Sequence, residues 1–508
     1  MSPEKFPTPS PETPLPSAKE LSLRDFSFSA DDVLNNLRSK HLKYIGTAQS
    51  DFQSQPLLFD ESGEPKVMSD WEFEIVKALN GKKVATFSKD SVADLPRFFD
   101  KTDKYVDTSA EMSMNMMRIS LDMARLCPSP KEFDEKMMSK YVKALALIKA
   151  SGQEPMLALY HWTMPKYLLG INANGDIDAG GWENPEANEH FKSYIQHVVG
   201  FLGDEGKVNK ALDEEGFSKQ DRERFLADGL AKYFLTINEP STFMNNSYMA
   251  GVFPPYKKYN LGTVKKITQK LIEAHDMAYK ELKNGKLQHI NTKVGLAHNW
   301  TYFDGLLGKY LQETQNEALT RKFEKDGGMS DFLGLQYYCR VNMTSPYNPI
   351  TKLQSPFKVY GDHPDFGDIY PPGIYEHLKA MNQMYPKKEI IITEFGFSDA
   401  RDKKRPLWIL ETVRYILEAQ KAGIPIKGML LWSLVNNFEW DRGMDQKFGL
   451  FSEKELDSPR TPSSENDIRS WEVWQSVARS LADPTPENLA QLQAVYEKAK
   501  QTYTKAGY

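Results

Sequence analysis

The sequence has few of the features that mark disulfide-rich, nucleic-acid-binding or membrane-spanning proteins. Its only two cysteines, Cys127 and Cys339, lie in apolar segments, so we expect buried, unpaired thiols and a reducing, cytoplasmic compartment. The net charge of −5 argues against nucleic acid or an anionic membrane surface as a partner, because both attract concentrated lysine and arginine. No apolar run is long enough to span a bilayer or to serve as a signal peptide. These absences favour a soluble protein with a small or neutral partner.

Proline is abundant only at the start of the chain, where it occupies six of the first sixteen positions. This composition predicts an extended, partly disordered arm over residues 1–38. The remaining 39–508 have the apolar and charged content of an ordinary globular chain, 40% and 26% over the whole sequence. We expect them to form one folded domain.

Eight short apolar runs recur along this domain, several of them without the polar alternation of a half-exposed strand, as is typical of strands buried on both faces. Helical patterns lie between them, such as 134–152 and 405–423, where a glycine follows the last turn. This alternation predicts an α/β fold, a single closed (β/α)8 barrel of parallel strands. The runs are YIGTA (44–48), MMRISL (116–121), PMLALYH (155–161), YFLTI (233–237), KVGLAH (293–298), DFLGLQYY (331–338), EIIITE (389–394) and GMLLWSL (428–434).

Two further helices are predicted after the last strand, at 470–482 and 485–503. In the second, Thr485 can cap the first turn and Pro486 suits the first helical position. An apolar stripe at helical spacing follows, so we expect both helices to pack on the outside of the barrel. The stripe consists of Leu489, Leu492, Tyr496, Ala499 and Tyr503.

Unusual polar and aromatic residues follow several of the predicted strands. In barrels of this kind the active site lies at the carboxyl ends of the strands, so these residues are the candidates for chemistry. They are Gln53, Arg118, His161, Trp162, Asn238, Glu239, Tyr338, Glu394, Trp432, Glu439 and Trp440.

Most cofactor-dependent and nucleophilic chemistries lack support in this set. The nine histidines are scattered without metal-ligand spacing, and no dinucleotide fingerprint, P-loop or serine elbow occurs. The loop 172–183 imitates a calcium loop, but Ile177 stands where that loop's sharp turn requires glycine. We therefore predict no metal and no cofactor.

Two glutamates at strand ends remain, Glu239 and Glu394. Either one alone would be read as a residue that caps or neutralises a helix start. As a pair they suit glycoside hydrolysis, in which one carboxyl protonates the leaving oxygen and the other attacks or assists at the anomeric carbon.

Ten segments, in order across roughly residues 43–475, resemble glycoside hydrolase family 1, the β-glucosidase and β-glycosidase family. TINEP (236–240) is similar to its acid/base motif, T-F/M-N-E-P, and ITEFG (392–396) to its nucleophile motif, I/V-T-E-N-G. The segment 430–450 resembles the signature that closes the sugar pocket. The other seven are GTAQSDFQSQ (46–55), MMRISLDMARLCP (116–128), YHWTMPKYL (160–168), GGW (180–182), GVFPP (251–255), DFLGLQYY (331–338) and DFGDIYPPGIY (365–375).

The resemblance implies a TIM barrel and a role for each candidate residue. Glu239 would be the general acid/base, Glu394 the nucleophile, and Asn238 a hydrogen-bonding partner of the sugar 2-hydroxyl. Arg118 and Tyr338 would orient Glu394 and keep it ionised. The remaining sugar contacts would come from Gln53, His161, Trp162, Trp432, Glu439 and Trp440.

The implied reaction is that of a retaining exo-β-glycosidase acting on a terminal β-glucoside, galactoside, fucoside or mannoside. Two alternatives stay open: a transglycosidase that uses the same site, and a weakly catalytic sugar-binding barrel. The partner in each case is a small glycoside.

Several positions depart from the family pattern, which predicts a divergent member. Gln336 replaces the usual Asn, and its extra methylene is expected to shift the geometry near the acid/base. Phe395 replaces the Asn that follows the nucleophile. The other departures are Gln55 for Glu, Met123 for Trp, Thr163 for Asp, Asp368 for Trp and Asn436 for Asp.

Overall fold

The computed structural model describes residues 42–506, apart from 83, 85–86, 88, 93, 306, 326–328, 343–369 and 459–466. The predicted N-terminal arm, residues 1–38, lies outside the described residues, and the domain boundary at 38/39 stays a prediction. Asp368 is also outside them.

Eight parallel strands close into a barrel in which each strand pairs with its neighbours in the sequence, and the first pairs with the last. All eight predicted runs form these strands, with ends that differ by only a few residues. The (β/α)8 prediction is therefore confirmed. The strands are β1 (Tyr44–Ala48), β2 (Met116–Ser120), β3 (Glu154–Ala158), β4 (Tyr233–Asn238), β5 (Lys293–Asn299), β6 (Phe332–Tyr337), β7 (Glu389–Phe395) and β8 (Ile426–Trp432).

Helices connect the strands on the outside of the barrel. Short helices also follow three strands directly, at Asp51–Ser54, Met123–Leu126 and Pro240–Met244, and a fourth, Gly308–Leu311, follows the short strand Tyr302–Asp304. The longer ones are α1 (Asp70–Leu79), α2 (Thr102–Glu111), α3 (Glu135–Ala150), α4 (Ala187–Leu202), α5 (Glu205–Glu214), α6 (Lys219–Asp228), α7 (Leu261–Asn284), α8 (Ala318–Glu324), α9 (Pro372–Met384), α10 (Arg405–Lys421), α11 (Ser470–Ala482) and α12 (Pro486–Lys505).

The two C-terminal helices occur where the sequence predicts them. The Thr485 side chain accepts a hydrogen bond from the Asn488 amide, which caps α12. Helices α11 and α12 pack against each other and against α10. Four residues of the predicted stripe are buried, whereas Tyr503 is only partly buried and Thr502 takes its place in the packing.

The barrel interior is packed at its amino-terminal end and polar at its carboxyl-terminal end. Tyr233 contacts both Tyr44 and Phe332 edge-on, with ring centroids 5.2 and 5.9 Å apart, and these rings belong to the inner core. The outer faces of the strands pack against the helices in a second, larger core. The functional chemistry is thereby confined to one end of the barrel.

Three irregularities in the strand ladders lie near that polar end. The register shifts between Leu235 and Asn238 in β4, between Leu335 and Gln336 in β6, and between Ile392 and Phe395 in β7. Such bulges re-aim side chains. Here they fall on the two strands that lead to the candidate glutamates and on β6 between them in the sequence.

Both cysteines are buried and neither forms a disulfide, as predicted. Among the described residues, no helix combines the length and the apolar character needed to cross a bilayer. The calcium-like loop forms a hairpin between Leu169–Ile171 and Ile177–Gly180.

Candidate active site

A cavity of about 330 Å³ opens at the carboxyl ends of the barrel strands. Ten of the eleven candidate residues line it, and the exception, Arg118, is fully buried behind Asn238 and Glu394. The candidates that line the wall are Gln53, His161, Trp162, Asn238, Glu239, Tyr338, Glu394, Trp432, Glu439 and Trp440. Residues from nearly the whole length of the chain are thus brought to one site.

Glu239 lies at a sharp change of chain direction. Strand β4 ends at Asn238, and Pro240 starts the next short helix, which leaves Glu239 as its N-cap with φ at 41°. Trp162 and Trp440, also in the cavity wall, have positive φ values of 75° and 43°. Non-glycine residues in this region are strained, and such strain is concentrated at functional sites.

Asn238 is the centre of a hydrogen-bond network beneath the cavity. Its Oδ1 accepts from Arg118 Nη2 at 2.7 Å and from Gln336 Nε2 at 2.8 Å. Its Nδ2 lies 3.0 Å from His161 Nε2, and its carbonyl accepts from the Trp162 indole at 2.8 Å. Burial, followed by the charge of Arg118, holds the pKa of His161 well below its usual value, so the ring is neutral and can accept from the amide. The Asn238 amide is therefore fixed in one orientation.

Glu394 accepts hydrogen bonds from Arg118 on Oε1 and from Tyr338 on Oε2. These are the two contacts predicted from the sequence. Both lower the pKa of Glu394, yet burial is the larger effect and the pKa is raised above that of an ordinary glutamate. Arg118 and Tyr338 thus oppose the effect of burial without cancelling it.

Glu239 is held by different neighbours. Asn299 Nδ2 donates to Glu239 Oε2 at 3.0 Å and also to Thr242 Oγ1 at 3.2 Å. Burial raises the pKa of Glu239 to about 8, and the nearby charge of Glu394 adds to the rise. At neutral pH Glu239 therefore carries a proton, and removing the charge of Glu394 would lower its pKa.

The opposite wall combines a carboxyl with aromatic rings. Gln53 Nε2 donates to Glu439 Oε2 at 3.3 Å. Burial raises the pKa of Glu439 to about 8, helped by the charges of Asp441, Glu394 and Glu239. Trp440 stacks on Phe52 at 5.7 Å. Polar groups beside rigid aromatic faces suit a ring that is apolar on one face and hydroxylated at its rim.

Comparison with known proteins identifies the family. The sequence profile described as "Glycosyl hydrolase family 1" matches residues 46–222, 224–328 and 309–470. The chain belongs to glycosyl hydrolase family 1. It is accordingly a glycoside hydrolase, and the resemblance seen in its motifs is confirmed.

Individual family 1 relatives are distant. The chain is 23% identical to a β-galactosidase of Sulfolobus acidocaldarius over 80% of its own length and 89% of the relative's. It is 22% identical to the chloroplastic galactolipid galactosyltransferase SFR2 of Arabidopsis thaliana, over 70% of its own length and 54% of the relative's. The β-glycosidase structure from Thermosphaera aggregans matches with a TM-score of 0.68 at 22% identity, covering 89% of this chain and 98% of that one.

Two of the departures from the family 1 pattern have clear structural roles. Phe395 points away from the cavity, and its ring packs between Trp408 at 5.8 Å and Trp474 at 5.6 Å. Gln336 was expected to shift the geometry near the acid/base, and its hydrogen bond goes to Asn238, the residue directly before Glu239. The longer side chain therefore acts on the amide next to the acid/base, and a hydrogen bond from it also lowers the pKa of Glu394.

The other described departures lie around the site. Thr163 donates to Asp122 at 3.0 Å, and Met123 is buried in the core. Gln55 Oε1 accepts from the Phe99 amide at 3.1 Å, and Asn436 Oδ1 from the Gly449 amide at 2.9 Å.

Asn299 and Thr242 are wall residues that the motif reasoning did not identify. Asn299 directly follows the fifth predicted strand, so the strand-end rule could have found it. No distinctive neighbour marks it in the sequence. Thr242 lies in the helix after Pro240 and gives no comparable signal.

In the part of the chain that the structure describes, no cluster of three or more histidine, cysteine or acidic side chains is arranged to hold a metal. The acidic residues of the cavity are instead held by amide, hydroxyl and guanidinium donors.

Proposed function

We propose that the protein is a retaining exo-β-glycosidase that releases a terminal β-linked sugar by double displacement. The observation that carries this proposal is the convergence of two glutamates whose surroundings differ. Glu394 is hydrogen-bonded to a buried guanidinium and a phenol, whereas Glu239 has a pKa raised to about 8. Divergent environments of two carboxyls separate a nucleophile from a proton donor.

In the first step, ionised Glu394 attacks the anomeric carbon while protonated Glu239 gives its proton to the departing glycosidic oxygen. Arg118 and Tyr338 keep the attacking carboxylate oriented. Asn238, fixed by Arg118 and Gln336, donates to the sugar 2-hydroxyl, a contact that strengthens in the transition state.

The second step uses the change in charge that the first produces. Once Glu394 is esterified, its negative charge no longer raises the pKa of Glu239. Asn299 and Thr242 still donate toward Glu239 and favour its charged form. Glu239 then acts as a base toward water, which releases the sugar with its β configuration retained.

The wall favours an uncharged sugar, such as a glucoside, galactoside, fucoside or mannoside. Its acidic residues are Glu239, Glu394, Glu439 and Asp441, and of the described wall residues only Arg442 is cationic. A phosphate on the sugar would lie near the charge of ionised Glu394, with Arg442 as the one cationic partner in the described wall, and this would raise the energy of the complex. Gln53, His161, Glu439 and Trp440 are the proposed partners of the sugar hydroxyls, with Trp162 and Trp432 behind them.

A panel of p-nitrophenyl β-glycosides, assayed beside Glu394→Ala, tests the proposal. We expect wild-type protein to release nitrophenol from at least one uncharged sugar, and the variant to be slower by several orders of magnitude. If wild type releases nitrophenol no faster than the variant from any of the sugars, the hydrolase proposal fails and a sugar-binding role takes its place. Binding of the free sugars, measured by calorimetry, would then support that role.

Transglycosylation is a second candidate, since the relative named galactolipid galactosyltransferase matches 70% of this chain. The same covalent intermediate serves both reactions, and only the acceptor differs. Product analysis with added glycerol or a sugar acceptor separates them: a dominant transfer product at low acceptor concentration would favour the transferase.

A further inference from the structure

Helix α8 and the turn before it hold the end of strand β5 from outside the barrel. His298 Nε2 lies 2.9 Å from Glu324 Oε1. Two residues further along the chain, the Trp300 indole donates to Thr320 Oγ1 at 3.0 Å. Beyond it, Asn316 Nδ2 donates to the Thr301 carbonyl at 2.8 Å. Three successive contacts thus fix this segment.

The opposite side of the same segment faces the cavity. Asn299 and Thr301 line the wall, between residues that point outward to the helix. Asn299 donates to Glu239 Oε2. Neighbouring residues in a strand project to opposite faces, so His298 faces the helix and Asn299 faces the cavity. Because one peptide bond joins the two residues, a shift of His298 displaces Asn299 as well. The outer contacts and the glutamate are therefore coupled through the backbone of 298–301.

Glu324 is the charged member of the outer contacts. It has no solvent exposure, and the His298 side chain is 5% exposed. Although burial opposes ionisation, the hydrogen bond and charge of His298, with smaller effects of His275 and Lys388, lower the pKa of Glu324. A buried carboxylate without its partner is strongly unfavourable, so this pair holds His298 in one position.

The buried surroundings of Glu324 extend to strand β4. His275 Nδ1 lies 2.7 Å from Thr236 Oγ1, and Thr236 belongs to the strand that ends beside Glu239. Lys325 pairs with Asp276 next to it. His275, whose charge also acts on Glu324, therefore links the surroundings of Glu324 to the strand that ends beside Glu239.

We propose that Glu324 is a positioning residue for the acid/base: through His298 and Asn299 it fixes the orientation of the Glu239 carboxyl. The proposal rests on the proposed role of Glu239. With Oε2 held by Asn299, Oε1 is the oxygen left to carry the proton toward the glycosidic oxygen. A defect at Glu324 should thus affect proton donation more than substrate binding or attack by Glu394.

Leaving-group dependence isolates proton donation. The leaving group of a 2,4-dinitrophenyl glycoside departs as a stable phenolate without a proton. The alcohol of an alkyl glycoside leaves only when the acid/base protonates it. For Glu324→Leu we expect kcat/KM to fall about tenfold or more with the alkyl glycoside, and by less than about twofold with the dinitrophenyl glycoside. Glu324→Gln keeps an acceptor for His298 and should restore most of the activity.

Asp331→Asn is the matched control. Asp331 accepts from the Val294 amide at 2.8 Å and pairs with Lys283 at 3.0 Å, so it holds the other end of β5. We expect it to lower stability and to reduce activity toward both glycosides equally. Equal losses toward both glycosides in Glu324→Leu would overturn the proposal, as would failure of Glu324→Gln to restore the difference.

A crystal structure of Glu324→Leu tests the geometry without reference to turnover. Loss of the Asn299–Glu239 hydrogen bond supports positioning by Glu324, and its retention overturns it. If wild-type protein hydrolyses no glycoside, the proposed function fails, while this structure still decides the proposal about Glu324. Should Glu324→Leu not fold, Glu324→Ala and His298→Leu provide the same comparison.

Discussion

Replacing Glu239 by glutamine should stabilise the folded protein in alkaline solution even though it removes the proposed acid/base. Burial and the charge of Glu394 raise the pKa of Glu239 from 4.5 to about 8. The folded protein therefore binds this proton more tightly than the unfolded chain does. Stability is lost as the pH rises from about 4.5 to about 8, and it is level outside that range.

The size of the effect follows from the pKa difference. Each tenfold change in proton affinity corresponds to about 1.4 kcal/mol, so the full rise amounts to about 5 kcal/mol of unfolding free energy at pH 9. Glutamine has the same shape and carries no charge at any pH. Its amide oxygen can accept from Asn299 as the carboxylate does. The variant should therefore keep most or all of the stability that wild type loses at high pH.

Urea unfolding of wild type and Glu239→Gln at pH 5 and pH 9 measures this difference. We expect similar unfolding free energies at pH 5 and a variant more stable by several kcal/mol at pH 9. Glu61→Gln, in an exposed turn, is the control. Its unfolding free energy should match that of wild type at both pH values. If the Glu239 variant gains nothing at pH 9, the buried, charge-coupled environment described for Glu239 is wrong.

Three further substitutions test individual contacts. Tyr338→Phe removes a hydrogen bond that lowers the pKa of Glu394, so the acidic limb of the pH–kcat/KM profile should move to higher pH; an unmoved limb would contradict the contact. Gln336→Asn should lose the bond to Asn238 and lower kcat/KM by roughly 3- to 10-fold, whereas a gain would show that the longer side chain impairs the site. Phe395→Asn should lower the unfolding free energy in urea by roughly 3–5 kcal/mol, because the ring packs against two tryptophans; a neutral result would refute that packing role.

The barrel could be predicted because its strands are buried on both faces and leave an apolar signal that needs no partner information. The site could be predicted because a barrel brings the carboxyl ends of all its strands together, so that residues such as Gln53 and Glu439, far apart in sequence, meet in space. The motifs then assigned roles that strand-end position alone does not distinguish.

Contacts that depend on the direction of a side chain could not be predicted from the sequence. Gln336 was expected near Glu239, but the sequence did not show that its hydrogen bond goes to Asn238, at a point where the register of β6 shifts. Arg125 gives another example: it is fully buried, with Asp51 at 3.0 Å and Glu72 at 3.4 Å. The three residues lie on three separate helices, and no local pattern in the sequence reveals that they pair.

The direction of the pKa shift of Glu394 could also not be predicted from its neighbours in the sequence. Arg118 and Tyr338 both favour ionisation, as expected, yet burial outweighs them. The degree of burial depends on how every loop closes over the site, which is a property of the whole fold.

Covalent trapping tests the central claim most directly. A 2-deoxy-2-fluoro β-glycoside with a good leaving group slows release of the sugar from the nucleophile, so the intermediate accumulates. Peptide mass spectrometry of the labelled protein should place one fluoro-sugar on Glu394, and Glu394→Ala should take up none. Label on any other residue, or time-dependent inactivation without a covalent adduct, would contradict the assignment of Glu394 as the nucleophile of a retaining glycosidase.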